Sequence, residues 1–580
     1  MLDLLTDINV NVFGVKPFHP NILKSGIILL CLLTGVWLLA SKVITTHAIA
    51  MVARLNSMCV YQHRILAWSL GSIFTAFLIY LRFRQYFELQ TMWDMAVEAN
   101  VAWHMVHGPW FFNSLDNDSF LGGHFSPVFL LIGLVYRLVE HPLTLLVIQS
   151  VAFGLGAVAV YYLTLLRCQY AALALLAVTL YIFNPYIHHS NAHDFHLSPL
   201  AIPSVLWMFV FVESGKHGLA ATAAVLAFSI EESILLPLAG FGLYLVAFRP
   251  GWRMFGVVLA TCAVAYFCII IKVLFPIFSP YPEIFFWRRY ANLGTDLSDA
   301  IIHLLRNPIW AGYETLVSRN QYVYLLYFLV PVAFLPLFAW REACLLVVPL
   351  SIMFLSQNSG MNKLGFHYSV PALPFLFLGV VYGLSNAVRV IEQRWRSTRP
   401  LWSIVFAGML FMIALGTYRS PGYDIGKTNP EFAASAFEIA GLVPSDAAVA
   451  TDVRFAPLLI NRHRICKINV IAGELCDWTI ADGKPTSGSD TGNRRPVPQW
   501  VPEYVVIGLE LGNTSDIKIQ QQREFADWLT TGQSYEEIRS QNGIILFHYR
   551  GSPPETYDRN NLENFRKQTM RSSSWSKTSS

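Results

Sequence analysis

The sequence predicts a polytopic α-helical membrane protein of about 12–13 spanning helices, with a soluble α/β domain near its C-terminal end. Three observations predict it. Only 13% of the 580 residues are charged and 54% are hydrophobic, with a mean hydropathy of +0.45, whereas soluble domains average roughly 25% charged residues. Long apolar runs recur between about residues 22 and 418, many of them near the ~20 residues that cross a bilayer. Beyond 418 the composition turns polar and no spanning run follows. The formal net charge of +4, with no long basic run, gives no case for nucleic acid as a partner.

In chain order the apolar runs fall at approximately 22–42, 66–82, 142–166, 169–186, 197–214, 218–230, 233–248, 254–275, 321–339, 342–357, 368–387 and 401–418. The first is long and has no small-residue cleavage pattern behind it, so it reads as an anchor rather than a signal peptide. With the loop that follows, it makes an N-terminal piece of residues 1–65, ahead of a membrane domain over 66–418. The 218–230 and 233–248 runs are short, and Glu231 and Glu232 divide them. They form either a helical hairpin with two carboxylates at its tip or one long bent helix. Six cysteines (Cys31, Cys59, Cys168, Cys262, Cys268, Cys344) lie in or beside apolar stretches, where a thiol behaves as a small hydrophobe. Cys466 and Cys476 fall in the polar part, as a disulfide if that part is exported or as two separate thiols.

The 125–139 stretch is apolar but only about 15 residues long, short for a span. Charge decides its role. If it dips into or lies on the membrane, the loops carrying Arg167, Lys216, Arg249 with Arg253, Arg341 and the cluster Arg389, Arg394, Arg396 and Arg399 all fall on one side. The 43–65 loop, with Arg54 and Arg64, joins them. That side is cytoplasmic by the positive-inside rule. The loops at 83–141, 187–196, 231–232, 276–320 and 358–367 then face outward, carrying nearly all of the acids and histidines of the membrane part. Ionisable groups at a membrane boundary are costly unless paired or solvated, so their convergence on one face marks a candidate site.

Residues 419–550 read as an outward-facing soluble α/β domain. Asn429-Pro430-Glu431 is a helix start, with a capping side chain, proline at the first position and an acid in the first turn. β-rich runs follow at Ala447–Val453, Tyr504–Leu509 and Ile544–Tyr549, and Asn542-Gly543 signals a hairpin. Residues 478–500 read as a mobile loop, and 551–580 as a disordered tail.

Several constellations carry possible chemistry. Asp94 and Glu98 are four apart and share a helix face. There they serve as a general base or a metal ligand; spacing alone favours the plainer reading of solvated carboxylates on the wet face of an interfacial helix. His193-Asp194-Phe195-His196, after His188 and His189, resembles a metal-ligand cluster in composition but lacks zinc-protease spacing. A divalent metal stays open, with Asp94, Asp194 and His196 as candidate ligands. Adjacent Glu231 and Glu232 on apolar flanks need a partner, a proton or a cation. Arg288, Arg289, Arg306, Arg319 and Lys363 are outer basic residues suited to a lipid phosphate.

Trp93-Asp94-Met95-Ala96 through Gly108, Gly123-His124-Phe125-Ser126-Pro127, Asn184-Pro185 with His193-Asp194-Phe195-His196, Glu231-Glu232, Phe366-His367-Tyr368 and Val443-Pro444-Ser445-Asp446-Ala447 stand in a fixed order. This set resembles the DUF2079 integral-membrane family, itself similar to the GT-C glycosyltransferases that use polyprenyl-phosphate sugars. The resemblance covers about residues 66 to 550. It implies a GT-C-like membrane domain with the large outer loop 83–141, Asp94 as the first-loop catalytic acid and Asp194 as a second. His124, His193, His196, Glu231, Glu232 and His367 are the substrate-binding candidates. Asp94 is followed by Met95 rather than a second acid, and His124-Phe125-Ser126-Pro127 stands where better-known members are proline-rich. The expected activity is inverting transfer of a sugar from a polyprenyl-phosphate donor at the outer face of a bacterial inner membrane, in contact with the lipid bilayer. The alternatives are a transporter or lipid flippase, which needs charges near the bilayer midplane, and a non-catalytic scaffold.

Overall fold

The computed structural model describes residues 52–91, 93–279, 285–318, 321–358, 360–361, 367–394, 428–468, 475–476, 500–509, 516–532 and 535–551, with isolated positions at 29–34, 50 and 408–414. The runs at 22–42 and 401–418, the 478–500 loop and the tail beyond 551 lie wholly or largely outside these residues, as do Arg319, Lys363 and Phe366.

Among the described residues, four helices are long and apolar enough to cross a membrane: Val60–Phe87, Leu143–Cys168, Pro250–Phe278 and His367–Ile391. Ala171–Ile182 and Pro185–Ala192 make a fifth if their 41° bend is one broken span. Shorter apolar helices occupy Ser198–Glu213, His217–Phe228, Glu232–Phe248 and Gln321–Val332. The full-length spans are thus fewer than the apolar runs, for local reasons. The 169–186 run breaks where Asn184 turns extended and its side chain accepts the Tyr186 N–H at 3.0 Å, with Pro185 opening the next helix. The 321–339 run stops at Val332, because Ala333 and Phe334 both adopt positive φ and Pro331 and Pro336 flank them. The 218–248 region is two helices rather than one bent helix, separated at Glu231, whose backbone is extended.

Close helix contacts use small residues, as lipid-embedded packing requires. Gly71 faces Gly154 so tightly that a Cβ on either would overlap Val158 or Thr75, and Gly242 meets Gly256 in the same way. The helices Leu143–Cys168, Ala201–Glu213, Leu235–Phe248 and Leu373–Arg394 run in the same direction. Their first residues lie toward His196, Glu232 and His367, and their later residues meet around Arg167, Glu213, Arg249 and Tyr382.

The 83–141 region is folded throughout its described residues. It contains the Trp93–His107 helix, an antiparallel pair β1 (Phe112–Asn113) and β2 (Asp118–Ser119), and an 8-residue helix at Phe129–Tyr136. That last helix rises about 12 Å, far short of the ~30 Å hydrocarbon core. It packs Phe129, Ile132 and Tyr136 inward and leaves Leu130, Leu131 and Leu134 exposed, the pattern of a helix lying in the interface.

The C-terminal part builds a five-stranded sheet from β3 (Val449–Thr451), β4 (Ile465–Lys467), β5 (Tyr504–Gly508), β6 (Tyr535–Gln541) and β7 (Ile544–Tyr549), in the order β4-β3-β5-β7-β6. β3 runs parallel to β4 and β5; β7 runs antiparallel to β5 and β6. Asn542 and Gly543 both take positive φ in the β6–β7 turn, as the hairpin signal requires. Asn429 caps the Pro430–Gly441 helix by accepting the Glu431 N–H at 2.9 Å. Cys466 and Cys476 form a disulfide. β4 and the Asp516–Gly532 helix were not expected from the sequence; β4 has three residues, and the helix is rich in glutamine and polar overall.

Residues 457–463, which lead into β4, seat this sheet on the outer loop. The Asn100 side chain is fully buried; its Nδ2 donates to the carbonyls of Ile460 (2.9 Å) and Arg462 (3.2 Å), and its Oδ1 accepts the Ser114 N–H (2.8 Å). Ser114 Oγ donates to the His463 carbonyl at 2.7 Å. Tyr136 donates to Asn461 Oδ1, and Asn461 Nδ2 to the Glu140 carbonyl, both at 2.7 Å. Asn100→Leu keeps the volume but strands three buried backbone groups, at about 1–3 kcal/mol for each unsatisfied group. It is expected to lower the melting temperature of the detergent-purified protein and to expose the 457–463 segment to protease.

Candidate active site

Five elements bring the predicted acids and histidines to one place. The Trp93–His107 helix supplies Asp94 and, one turn on, Glu98. The extended stretch after Pro185–Ala192 supplies His193, Asp194 and His196. The turn at 123–125 and the break at 231–232 supply His124 and the two glutamates, and the helix start at His367 completes the set.

The centre is a closed circuit of contacts. Asp94 Oδ2 lies 3.4 Å from His196 Nε2. His196 Nδ1 is 2.9 Å from the Asp194 carbonyl oxygen, to which it donates. The Asp194 carboxylate in turn accepts the Met95 N–H at 3.4 Å, near the start of the helix that carries Asp94, where backbone donors are unsatisfied and negative charge is favoured. His196 N donates to the buried Gln149 Oε1 at 2.8 Å. The Asp194 carboxylate thus sits against the first turn of the helix that carries Asp94.

With Nδ1 spent on a carbonyl, the His196 Nε2 that faces Asp94 requires either a second proton or a cation. Burial works against charge on His196, but Asp94 more than offsets it and raises the imidazole above its ordinary value. Burial likewise opposes the Asp94 charge, and the His196 hydrogen bond, with His193 and His124 nearby, brings the carboxyl below its usual range. Although these groups surround it, the Asp94 side chain is 47% exposed, so its carboxylate is open to solvent instead of packed into a core.

The remaining residues sit around this pair. The His196 and His367 rings stack at 3.6 Å between centroids, and His193 lies edge-on to both at 5.2 and 5.6 Å. Nitrogen atoms of His193, His196 and His367 all fall within 4.8 Å of one another, a donor set suited to zinc or another borderline divalent ion. Burial, then His196, pushes His193 down to about 4, leaving it neutral and able to ligate. This group shares His196 with the expected Asp94, Asp194 and His196 set, and Asp94 lies beside it. Glu232 binds His124 Nδ1 at 3.1 Å and the Phe125 N–H at 3.1 Å, while Glu231 accepts from Ser233. Burial raises Glu231, partly offset by His124; His124 is raised because Glu232 outweighs its burial.

Two residues outside the expected site set belong to it. Glu98 is not solvated: it is 7% exposed, and its Oε2 has no hydrogen-bond partner among the described residues. Burial first, then Asp94, Glu231 and Asp194, hold its carboxyl well above the usual range, which favours its protonated form. Its i,i+4 relation to Asp94 was the available signal. Arg82 is 1% exposed and donates to Gln85 Oε1 (2.5 Å) and the Ala192 carbonyl (2.9 Å), directly before His193. An arginine at the end of an apolar run, two residues before Arg84, was its mark in the sequence.

The family model of DUF2079, a predicted membrane protein, matches residues 85–545. No curated protein matches the sequence. Among solved structures, the chain is similar to ArnT from Cupriavidus metallidurans bound to undecaprenyl phosphate, at 12% identity and a TM-score of 0.47, covering 86% of this chain and 100% of that one. The same protein in its apo state aligns at 11% identity and a TM-score of 0.43, covering 81% of this chain and 97% of that one.

Two outcomes are expected from this geometry. Protein purified without chelators carries roughly one transition-metal equivalent per chain by elemental analysis, and H193A/H367A loses it. Glu98→Gln keeps the fold and removes a pH-dependent penalty. An acid whose folded pKa is raised costs nothing below its unfolded value of about 4.3 and destabilises progressively above it. The melting-temperature gain of Glu98→Gln over wild type therefore grows from near zero at about pH 4 toward pH 8.

Proposed function

The chain belongs to the DUF2079 family of predicted membrane proteins, and from that premise we propose that it is a GT-C-like glycosyltransferase. It moves a sugar from a polyprenyl-phosphate donor to an acceptor hydroxyl at the outer face of a bacterial-type inner membrane. The observation that carries this reading is Asp94: a half-exposed carboxylate, held by His196, among the gathered acids and histidines.

A lipid-linked donor needs a phosphate partner and an apolar path for its tail, and the Arg289 segment offers both. Arg289 sits 5.6 Å over the Tyr368 ring and acts on His124 through space. Its segment rests on the 352–357 backbone: Tyr290 donates to the Ile352 carbonyl (2.9 Å), Asn292 to the Leu355 carbonyl (3.2 Å), and the Arg289 carbonyl accepts the Gln357 N–H (2.7 Å). Phe354 and Leu355 there open onto an apolar cavity of about 540 Å³, further lined by Leu304, Leu316, Leu329 and Leu350. The donor phosphate is assigned to Arg289 and the isoprenoid tail to this cavity.

In the reaction, the acceptor oxygen attacks the anomeric carbon from the face opposite the phosphate. The new carbon–oxygen bond forms as the bond to the phosphate oxygen breaks, inverting the centre. The acceptor proton passes to Asp94, and the polyprenyl phosphate leaves with the bonding electron pair. His196 and Asp194 hold Asp94 and its helix in register, while His124, with Glu231 and Glu232, flanks the donor. The Cys466–Cys476 disulfide supports an oxidising compartment for the sheet-bearing part. The basic loops at the far ends of the helices support a cytoplasmic side opposite the site.

Mass spectrometry of membrane lipids and surface glycans tests this in a deletion strain. Wild-type protein is expected to restore a missing sugar modification. Asp94→Asn, present in the membrane at equal level, is expected to lower it by about 10²–10⁴-fold, the range for loss of a positioned base. Restoration by Asp94→Asn would remove Asp94 from the chemistry; an unchanged glycome in the deletion strain would remove glycosyl transfer itself.

A further inference from the structure

We propose that the end of the helix bundle opposite the candidate active site binds a phosphate group, carried by an anionic lipid or free in solution. The binding cavity has a volume of about 330 Å³, and Arg167, Arg249, Arg341 and Arg389 line it together with Glu342 and Tyr382.

The charges do not balance within the protein. Glu213 takes Arg167 at 3.3 Å, Arg249 at 2.8 Å and the Tyr382 hydroxyl. Glu342 takes the Tyr244 hydroxyl at 2.6 Å. Both nearby carboxylates are thus engaged, against four guanidiniums. Arg341 and Arg389 have no ion-pair or hydrogen-bond partner among the described residues; Arg341 lies only against the Phe248 and Trp340 rings, at 5.3 and 5.4 Å. Arg167 Nε is buried with no hydrogen-bond partner among the described residues. A buried N–H is ordinarily satisfied, and an unsatisfied guanidinium edge beside two free ones fits a tetrahedral oxyanion, which accepts paired N–H donors.

Position favours a lipid as the carrier. The Leu143–Cys168 helix has 26 residues, so its ends lie about 39 Å apart, roughly one bilayer thickness. Gln149 near its start touches the active-site loop, and Arg167 near its end lines the cavity. The cavity therefore sits at the other membrane boundary. Trp340, 62% exposed, and Phe338, 59% exposed, stand beside it, as aromatic residues do at headgroup level. Anionic headgroups in that leaflet add attraction for clustered arginines.

The test uses the full chain in neutral detergent, with native mass spectrometry and thermal unfolding, against phosphatidylglycerol, phosphatidylcholine and inorganic phosphate. Wild-type protein is expected to retain phosphatidylglycerol over phosphatidylcholine by at least about tenfold, and R341Q/R389Q to lose most of that preference, a change of about 1.4 kcal/mol. Lys216→Gln, a charge loss on the same side but outside the cavity, leaves the preference intact. If R341Q/R389Q does not fold, R341K/R389K retains the charges and loses the forked donors, and the preference is expected to fall there too. Stabilisation by inorganic phosphate alone, abolished by the same substitutions, supports the site with the free anion as its source. A headgroup preference that persists in a folded variant, or is absent from wild type with no response to phosphate, overturns the site. Because the readout is binding, either result leaves the glycosyl-transfer reading to its own experiment.

Discussion

Asp94 and His196 meet at 3.4 Å, and much of the outer-loop architecture serves to make that contact tolerable at a membrane boundary. A carboxylate and an imidazole there are costly singly, and together they need fixed orientation. Asp194 provides it twice: its carbonyl accepts from His196 and its carboxylate caps the helix of Asp94. The circuit holds the Asp94–His196 pair yet leaves the Asp94 side chain half-exposed. Glu98, one turn below, stays neutral because a second charge beside Asp94 would be neither solvated nor paired.

The soluble sheet is part of the same construction. Its 457–463 segment satisfies Asn100, Ser114 and Tyr136, all within the 83–141 region, so the sheet docks on that region through buried hydrogen bonds. The coupling reaches the site itself. Lys467, at the end of β4, holds its ammonium 5.1 Å over the Trp93 ring, one residue from Asp94.

The helix bundle separates two kinds of charge. Asp94, Asp194, His193, His196 and the Glu231–Glu232 pair gather at one end and Arg167, Arg249, Arg341 and Arg389 at the other, with four helices running between them. A basic end of this kind orients a protein in a membrane. The two ends are joined by rigid helices that approach through Gly71 with Gly154 and Gly242 with Gly256.

Much of this was legible in the residues. Low charge and recurrent apolar runs specify a membrane protein, because burying unpaired backbone in lipid leaves few alternatives to helices. The arginine asymmetry put Asp94, His193–His196 and Glu231–Glu232 on one side, and the Asn429-Pro430 cap and Asn542-Gly543 turn are local rules that the structure follows. Other features depend on contacts distant in the chain. Whether an apolar run is one helix or two was settled by single residues such as Asn184 and by the left-handed Ala333-Phe334 pair, which hydropathy averages away. Spacing could not tell a solvated Glu98 from a buried neutral one, since that depends on what packs over it. Nor could it bring His367, more than a hundred residues on, into ring contact with His196, or choose between a pair and two thiols for Cys466 and Cys476. The sequence by itself determined which groups share a side of the membrane, because charge and hydropathy act locally. Only the tertiary structure decided which of them touch, because pairing, capping and desolvation are properties of neighbours in space.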